Sequence, residues 1–119
     1  MSITARHLMA NLHDCSNHAL MTQVDLLRTH CLNAVQTATL TAVREQFHQF
    51  DGGNGITGVI LLAESHLAIH TWPEQNYVTL DVFVCNLHCN NNEKAHRLFH
   101  QIIAPFGALK VNEYDIARE

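Results

Sequence analysis

Residues 77–85, Tyr-Val-Thr-Leu-Asp-Val-Phe-Val-Cys, alternate without a break between two sets of side chains. Val78, Leu80, Val82 and Val84 point one way. Tyr77, Thr79, Asp81, Phe83 and Cys85 point the other, because successive strand residues face opposite sides of a sheet. The pattern commits this segment to a strand with one apolar face. Such a strand needs partners at its edges and a second layer over its apolar side.

The rest of the chain supplies both. Leu8, Ala10 and Leu12 alternate with His7, Met9 and Asn11, the signature of a half-buried strand. Asp14-Cys15-Ser16-Asn17 is a turn with several helix-capping residues. From Leu20 to Ala38, apolar Leu20, Val24, Leu27, Cys31 and Val35 recur three or four apart, one face of an amphipathic helix. Thr39 to Phe50 is rich in β-branched and aromatic residues and reads as a strand. Asp51-Gly52-Gly53-Asn54-Gly55 is a hairpin loop, followed by strands over Ile56–Ala63 and His66–Trp72. Pro73 closes the second of these, since proline cannot donate to a central ladder. Asn90-Asn91-Asn92-Glu93, an Asn-x-x-Glu capping pattern, opens a helix with Ala95, Leu98, Phe99, Ile102 and Ile103 on its apolar face. Pro105 and Gly107 end it, and a last strand runs from Ala108 to Ile116.

The order β-α-β-β-β-β-α-β predicts one α+β domain spanning residues 1–119. Its architecture is a two-layer α/β sandwich: a mainly antiparallel sheet with two helices on one face. The other face must meet solvent or a second subunit. Parity puts Leu67, Ile69 and Thr71 on the helix side of their strand, and His66, Ala68, His70 and Trp72 on the open side. His70, Trp72 and Cys85 therefore share the open surface, where mixed polar and aromatic groups point to a site, an interface or both.

Charge narrows the function. A net charge of −4 offers no basic patch for nucleic acid. The longest apolar run, Val59–Ala63, is five residues, against roughly 20 for a membrane span. Met1-Ser2-Ile3-Thr4-Ala5-Arg6 lacks the apolar core of a secretion signal, so the expected compartment is the cytoplasm, with Cys15, Cys31, Cys85 and Cys89 reduced. Cys85-x-x-His88-Cys89 has no second half at metal-binding spacing, and no metal is expected. Of the ten histidines, His13, His18, His30, His96 and His100 read as surface positions without chemistry.

The chemistry gathers in Leu62-Ala63-Glu64-Ser65-His66-Leu67-Ala68-Ile69-His70-Thr71-Trp72-Pro73-Glu74. A serine nucleophile, two imidazoles and two carboxylates lie within this stretch. Ser65 needs a base to activate it, and no Gly-x-Ser-x-Gly elbow surrounds it. Alone, Glu64-Ser65-His66 reads as a strand end, and Cys85 as a small buried hydrophobe.

Taken together, Leu-Ala-Glu-Ser-His-Leu-x-Ile-His-Thr-Trp-Pro-Glu followed by Tyr-Val-Thr-Leu-Asp-Val-Phe-x-Cys closely resembles the prokaryotic S-adenosylmethionine decarboxylases. The resemblance covers roughly residues 5–90 and includes Ala5-Arg6-His7 and Phe47-His48-Gln49-Phe50. It implies a proenzyme that cuts itself between Glu64 and Ser65 into a β chain, 1–64, and an α chain, 65–119. Ser65 would become a pyruvoyl group, whose ketone forms a Schiff base with the substrate amine and serves as electron sink. His70 would be the processing base and Cys85 the proton donor. Thr57 stands where the family usually has a processing serine. Phe50, Glu74 and Trp72 would contact substrate. The implied substrate is S-adenosylmethionine, the product an aminopropyl donor for spermidine synthesis, and the assembly a dimer of αβ units with sites across the interface.

The chain departs from the family pattern in places. The usual Thr-Cys-Gly is Val84-Cys85-Asn86, and the loop Asp51–Gly55 lacks the common proline. Two alternatives follow: an arginine or ornithine decarboxylase with the same cofactor, or a non-processing homologue that binds a nucleoside or a partner.

Overall fold

A computed structural model describes residues 3–87 and 89–119. His88, the middle member of the cysteine–histidine set, lies outside the described residues, as do Met1 and Ser2. Six strands form one antiparallel sheet: β1 (Ala5–His13), β2 (Ala42–Gln49), β3 (Ile56–Leu62), β4 (Ser65–Trp72), β5 (Tyr77–Cys85) and β6 (Lys110–Arg118). The spatial order is β2-β3-β4-β5-β1-β6. Three helices, α1 (His18–Thr22), α2 (Val24–Thr37) and α3 (Asn92–Ile103), lie on the same face. The expected two-layer α+β sandwich is the observed architecture. The shortest dimension of the molecule is 20 Å, the thickness of two layers.

The core forms where the alternation said it would. Val78, Leu80, Val82 and Val84 are buried, as are Leu67, Ile69 and Thr71 on β4. They meet Leu27 and Cys31 of α2 and Leu98, Phe99 and Ile102 of α3. Gly58 of β3 makes room for the ring of its β2 neighbour Phe47, which lies 2.3 Å from where a Cβ would stand.

Three local predictions are corrected. The single helix over 20–38 is two helices, because Gln23 is extended (φ −106°, ψ 105°). The Thr71 hydroxyl donates to the Met21 carbonyl at 2.8 Å, and the Gln49 amide donates to the Thr22 carbonyl. Tertiary donors thus claim the carbonyls that a continuous helix would have used. The strand expected from Thr39 begins at Ala42, because Thr39 (φ +60°) and Leu40 end α2 by donating back to Gln36 and Val35. The capping box at Asn90 does not form. Asn91 occupies the cap of α3 without a side-chain capping bond, and Glu93 faces Arg97 instead.

The open face is ordered by the strand register. One row runs His48, Thr57, His70, Thr79, Asn11, Asn112 across all six strands. The next runs Gln46, Val59, Ala68, Asp81, Met9, Tyr114. Leu61, Tyr114 and Ile116 expose about half of their surface there. His96 and His100, read from sequence as idle, tie edge strand β6 to α3 through Asp115 at 3.3 Å and Glu113 at 2.9 Å.

Thr71 is one of two fully buried polar side chains among the described residues, and it accepts from Ile56 N at 2.9 Å while donating to Met21. Thr71→Val keeps the shape and strands both backbone groups. Chemical denaturation should show a loss of about 1–3 kcal/mol, against no loss if the hydroxyl is dispensable.

Candidate active site

The β3–β4 hairpin turns on Ala63 and Glu64, with Leu62 paired to Ser65. Antiparallel pairing of β4 with β5 sets Ser65 opposite Val84, so Cys85 lies at the same end of the sheet. The Cys85 amide donates to the Glu64 carbonyl at 2.8 Å. This carbonyl is the electrophile of the Glu64–Ser65 peptide bond. The bond to it polarises the group and offers charge stabilisation to an oxyanion formed there. Ser65 itself has φ +148°, a region that residues with a Cβ rarely occupy, at a cost on the order of 1–3 kcal/mol. Strain and an oriented donor thus converge on one peptide bond.

Glu64 is held from its other side as well. Its carboxylate accepts from Thr41 N at 3.2 Å, and Ala63 N donates to Thr41 O at 2.9 Å. Between this turn and the start of α3 lies a cavity of about 420 Å³ lined by Glu64, Ser65, Cys85, Cys89, Asn91 and Lys94. Ala63 and Leu87 supply apolar wall. Cys85 is half-buried and Cys89 exposed.

The remaining predicted residues collect at the opposite end. The Thr57 hydroxyl and His70 Nδ1 share a hydrogen bond of 3.1 Å. Trp72 stacks obliquely between His70 and Tyr77, with ring centroids 5.8 and 5.5 Å away. Phe50 is 46% exposed beside His48, and Glu74 is exposed in the turn Pro73–Gln75. The loop Asp51–Gly55 closes this end, with Phe50 N donating to Gly55 O at 2.9 Å. Ser65 and His70 are five positions apart on an extended strand, about 16 Å at ~3.3 Å per residue. One chain therefore places Ser65 with Cys85 at one end of the sheet and Thr57 with His70 at the other, and does not bring the two pairs together.

Sequence reasoning gave no site role to Tyr77, Asn91 and Lys94, and weighed Cys89 only as a metal ligand. Parity had already placed Tyr77 on the open face. Asn91 carried no signal beyond a helix start. Asn86 stands in place of the family's glycine and has no positive φ, so a side chain is accommodated. Among the described residues no group of three or more His, Cys, Asp and Glu side chains is placed to hold a metal.

Comparison with known proteins bears on this arrangement. The family profile described as S-adenosylmethionine decarboxylase matches residues 6–119. The chain belongs to that family. It is 38% identical over 103 residues to an S-adenosylmethionine decarboxylase proenzyme of Archaeoglobus fulgidus, covering 87% of this chain and 89% of that protein. It is 37% identical over 108 residues to the proenzyme of Prochlorococcus marinus, covering 91% and 85%. The crystal structure of the adenosylmethionine decarboxylase from Aquifex aeolicus superposes with a TM-score of 0.85 at 31% identity. That match covers 98% of this chain and 91% of that one.

The four thiols of this family member differ in environment. Burial and the charge of Asp14 push Cys15 up to about 11, and burial pushes Cys31 to about 12. Both stay protonated at pH 8, and the thiolate is the reactive form. Iodoacetamide at pH 8 should label Cys85 and Cys89 at least about a hundredfold faster than Cys15 and Cys31. Equal labelling in the folded protein, read by peptide mass mapping, would contradict these environments.

Proposed function

We infer that this chain is a self-processing S-adenosylmethionine decarboxylase whose pyruvoyl group arises from Ser65. The observation that carries the reading is the Glu64–Ser65 bond: a serine in strained backbone follows a carbonyl that already accepts from Cys85 N. Attack by Ser65 Oγ on the Glu64 carbonyl carbon turns the amide into an ester. Loss of the serine α-proton then expels the Glu64 carboxylate and leaves dehydroalanine. Its enamine form rearranges and hydrolyses to the ketone, releasing ammonia. The products are a β chain, 1–64, and an α chain, 65–119.

The residues around Ser65 suit the group they would carry. Cys85 shares the cavity with Ser65 and supplies a thiol as proton donor. When present, the pyruvoyl group serves as electron sink for loss of carbon dioxide. Cys85 then delivers a proton to the substrate carbon. Phe50 and Trp72 offer flat faces for the adenine, and Glu74 a carboxylate for the ribose hydroxyls.

His70 cannot reach Ser65 of its own chain. The bare sheet face, with its exposed Leu61, Tyr114 and Ile116, supports a homodimer packed through that face. A two-fold axis makes such an interface self-complementary. It carries the His70 end of one protomer toward the Ser65 end of its partner. The partner's His70 is then the base for the α-proton. To act through Nε2 it must hold its other proton on Nδ1 and donate it to the Thr57 hydroxyl, the contact seen at 3.1 Å. Threonine keeps the oxygen that this bond requires.

The product, decarboxylated S-adenosylmethionine, feeds spermidine synthesis in the cytoplasm. Among the described residues no helix is long and apolar enough to cross a membrane.

Two measurements test this reading. Matured protein should release carbon dioxide from S-adenosylmethionine and not from arginine or ornithine; the reverse preference would move the substrate assignment. Ser65→Ala should abolish cleavage, and His70→Ala should slow it on the order of a hundredfold. Co-expression of the two variants should restore cleavage of the His70→Ala chain, because one composite site is then intact. No restoration would contradict a site shared between protomers.

A further inference from the structure

We propose that Asn91 is a positioning residue that clamps Cys85 against the Glu64–Ser65 bond, an inference that rests on the self-processing reading and deepens it. Asn91 is 4% exposed, and with Thr71 it makes up the fully buried polar set among the described residues. It stands at the cap of α3 and yet makes no side-chain capping bond. Asparagine is favoured at a helix cap because its oxygen satisfies a free amide there. Here both ends of the carboxamide are committed elsewhere.

Asn91 Nδ2 donates to the Cys85 carbonyl at 2.9 Å. Asn91 Oδ1 accepts from the Cys89 thiol at 3.1 Å. Its backbone amide donates to Asn86 Oδ1 at 2.7 Å. Asn86 is anchored in turn: its backbone amide donates to Thr4 O at 2.8 Å and its side-chain amide to Asn92 Oδ1 at 2.9 Å. Cys85 is therefore gripped on both sides of its backbone. Its N–H holds the Glu64 carbonyl, and its C=O is held by Asn91.

The consequence is directional. Cys85 is the last residue of β5, and past it a single backbone bond, Asn86 N to Thr4 O, still ties the chain to its neighbour. Without Asn91 the Cys85–Asn86 peptide would be held by Asn86 N on Thr4 O alone, and the aim of the Cys85 donor and of the thiol in the cavity would loosen together. Asn86, where the family pattern has glycine, is the second anchor of this clamp. Asn91 lines the cavity but makes no hydrogen bond to Glu64 or Ser65, and it acts through Cys85.

Asn91→Asp is the informative variant, since it keeps the shape and the acceptor for Cys89 but replaces the donor to Cys85 O with a repelling oxygen. Asn90→Ala is the control for a damaged helix start, because Asn90 Oδ1 accepts from Asn92 N at 2.9 Å without reaching Cys85. Two readouts are taken on the full chain: the rate of cleavage by intact mass, and the pH–rate profile of Cys85 alkylation by iodoacetamide, resolved from Cys89 by peptide mapping. Asn91→Asp should slow cleavage at least tenfold and shift the Cys85 alkylation profile, while Asn90→Ala stays within twofold on both. An unshifted profile in Asn91→Asp, or equal effects from Asn90→Ala, overturns the proposal. Alkylation reads the clamp whether or not the chain cleaves, so an uncleaved wild-type chain overturns the self-processing reading alone.

Discussion

The pairing of β4 with β5 is the contact on which the rest depends. Its register runs from Ser65 opposite Val84 to Trp72 opposite Tyr77. It buries Leu67, Ile69, Val78, Leu80 and Val82 on one side, the surface against which the single helix layer packs. It also decides which end of the sheet each reactive group occupies. A slip of one residue would turn every one of these side chains to the opposite face. Structure and chemistry are thus fixed by the same ladder.

That ladder explains why closeness in sequence misleads here. Ser65 and His70 are five residues apart, and the extended strand holds them about 16 Å from each other. Ser65 and Cys85 are separated by most of two strands, and the hairpin brings them to one cavity. The chain looks like a single catalytic cluster when read as text. Folded, Ser65 and Cys85 lie at one end of the sheet and Thr57 and His70 at the other. The proposed homodimer would unite the two pairs across the uncovered sheet face.

Much of the fold was legible because burial follows parity. The alternation of Tyr77–Cys85 and the helix-spaced apolar residues Leu98, Phe99 and Ile102 predicted both layers. What sequence missed depends on groups that arrive from far away. Gln23 is extended because Thr71 and Gln49 take the carbonyls of Met21 and Thr22. Thr39 ends a helix at φ +60°, a place where glycine would have given a signal and threonine does not. The capping pattern read at Asn90 does not form; Asn91 stands at the cap, and its side chain holds Cys85 and not the helix end. The identities of Ser65, His70 and Cys85 as candidates came from the ordered motif; their separation could only come from the sheet.

The central claim is that the Glu64–Ser65 bond is built to break. It is tested most directly by the mass and terminal chemistry of purified protein. The account predicts two chains, 1–64 and 65–119, the second beginning with a ketone that hydrazine traps and cyanoborohydride reduces in the presence of an amine. A chain that stays whole at 13.4 kDa, or a fragment that begins with an ordinary serine, would contradict it.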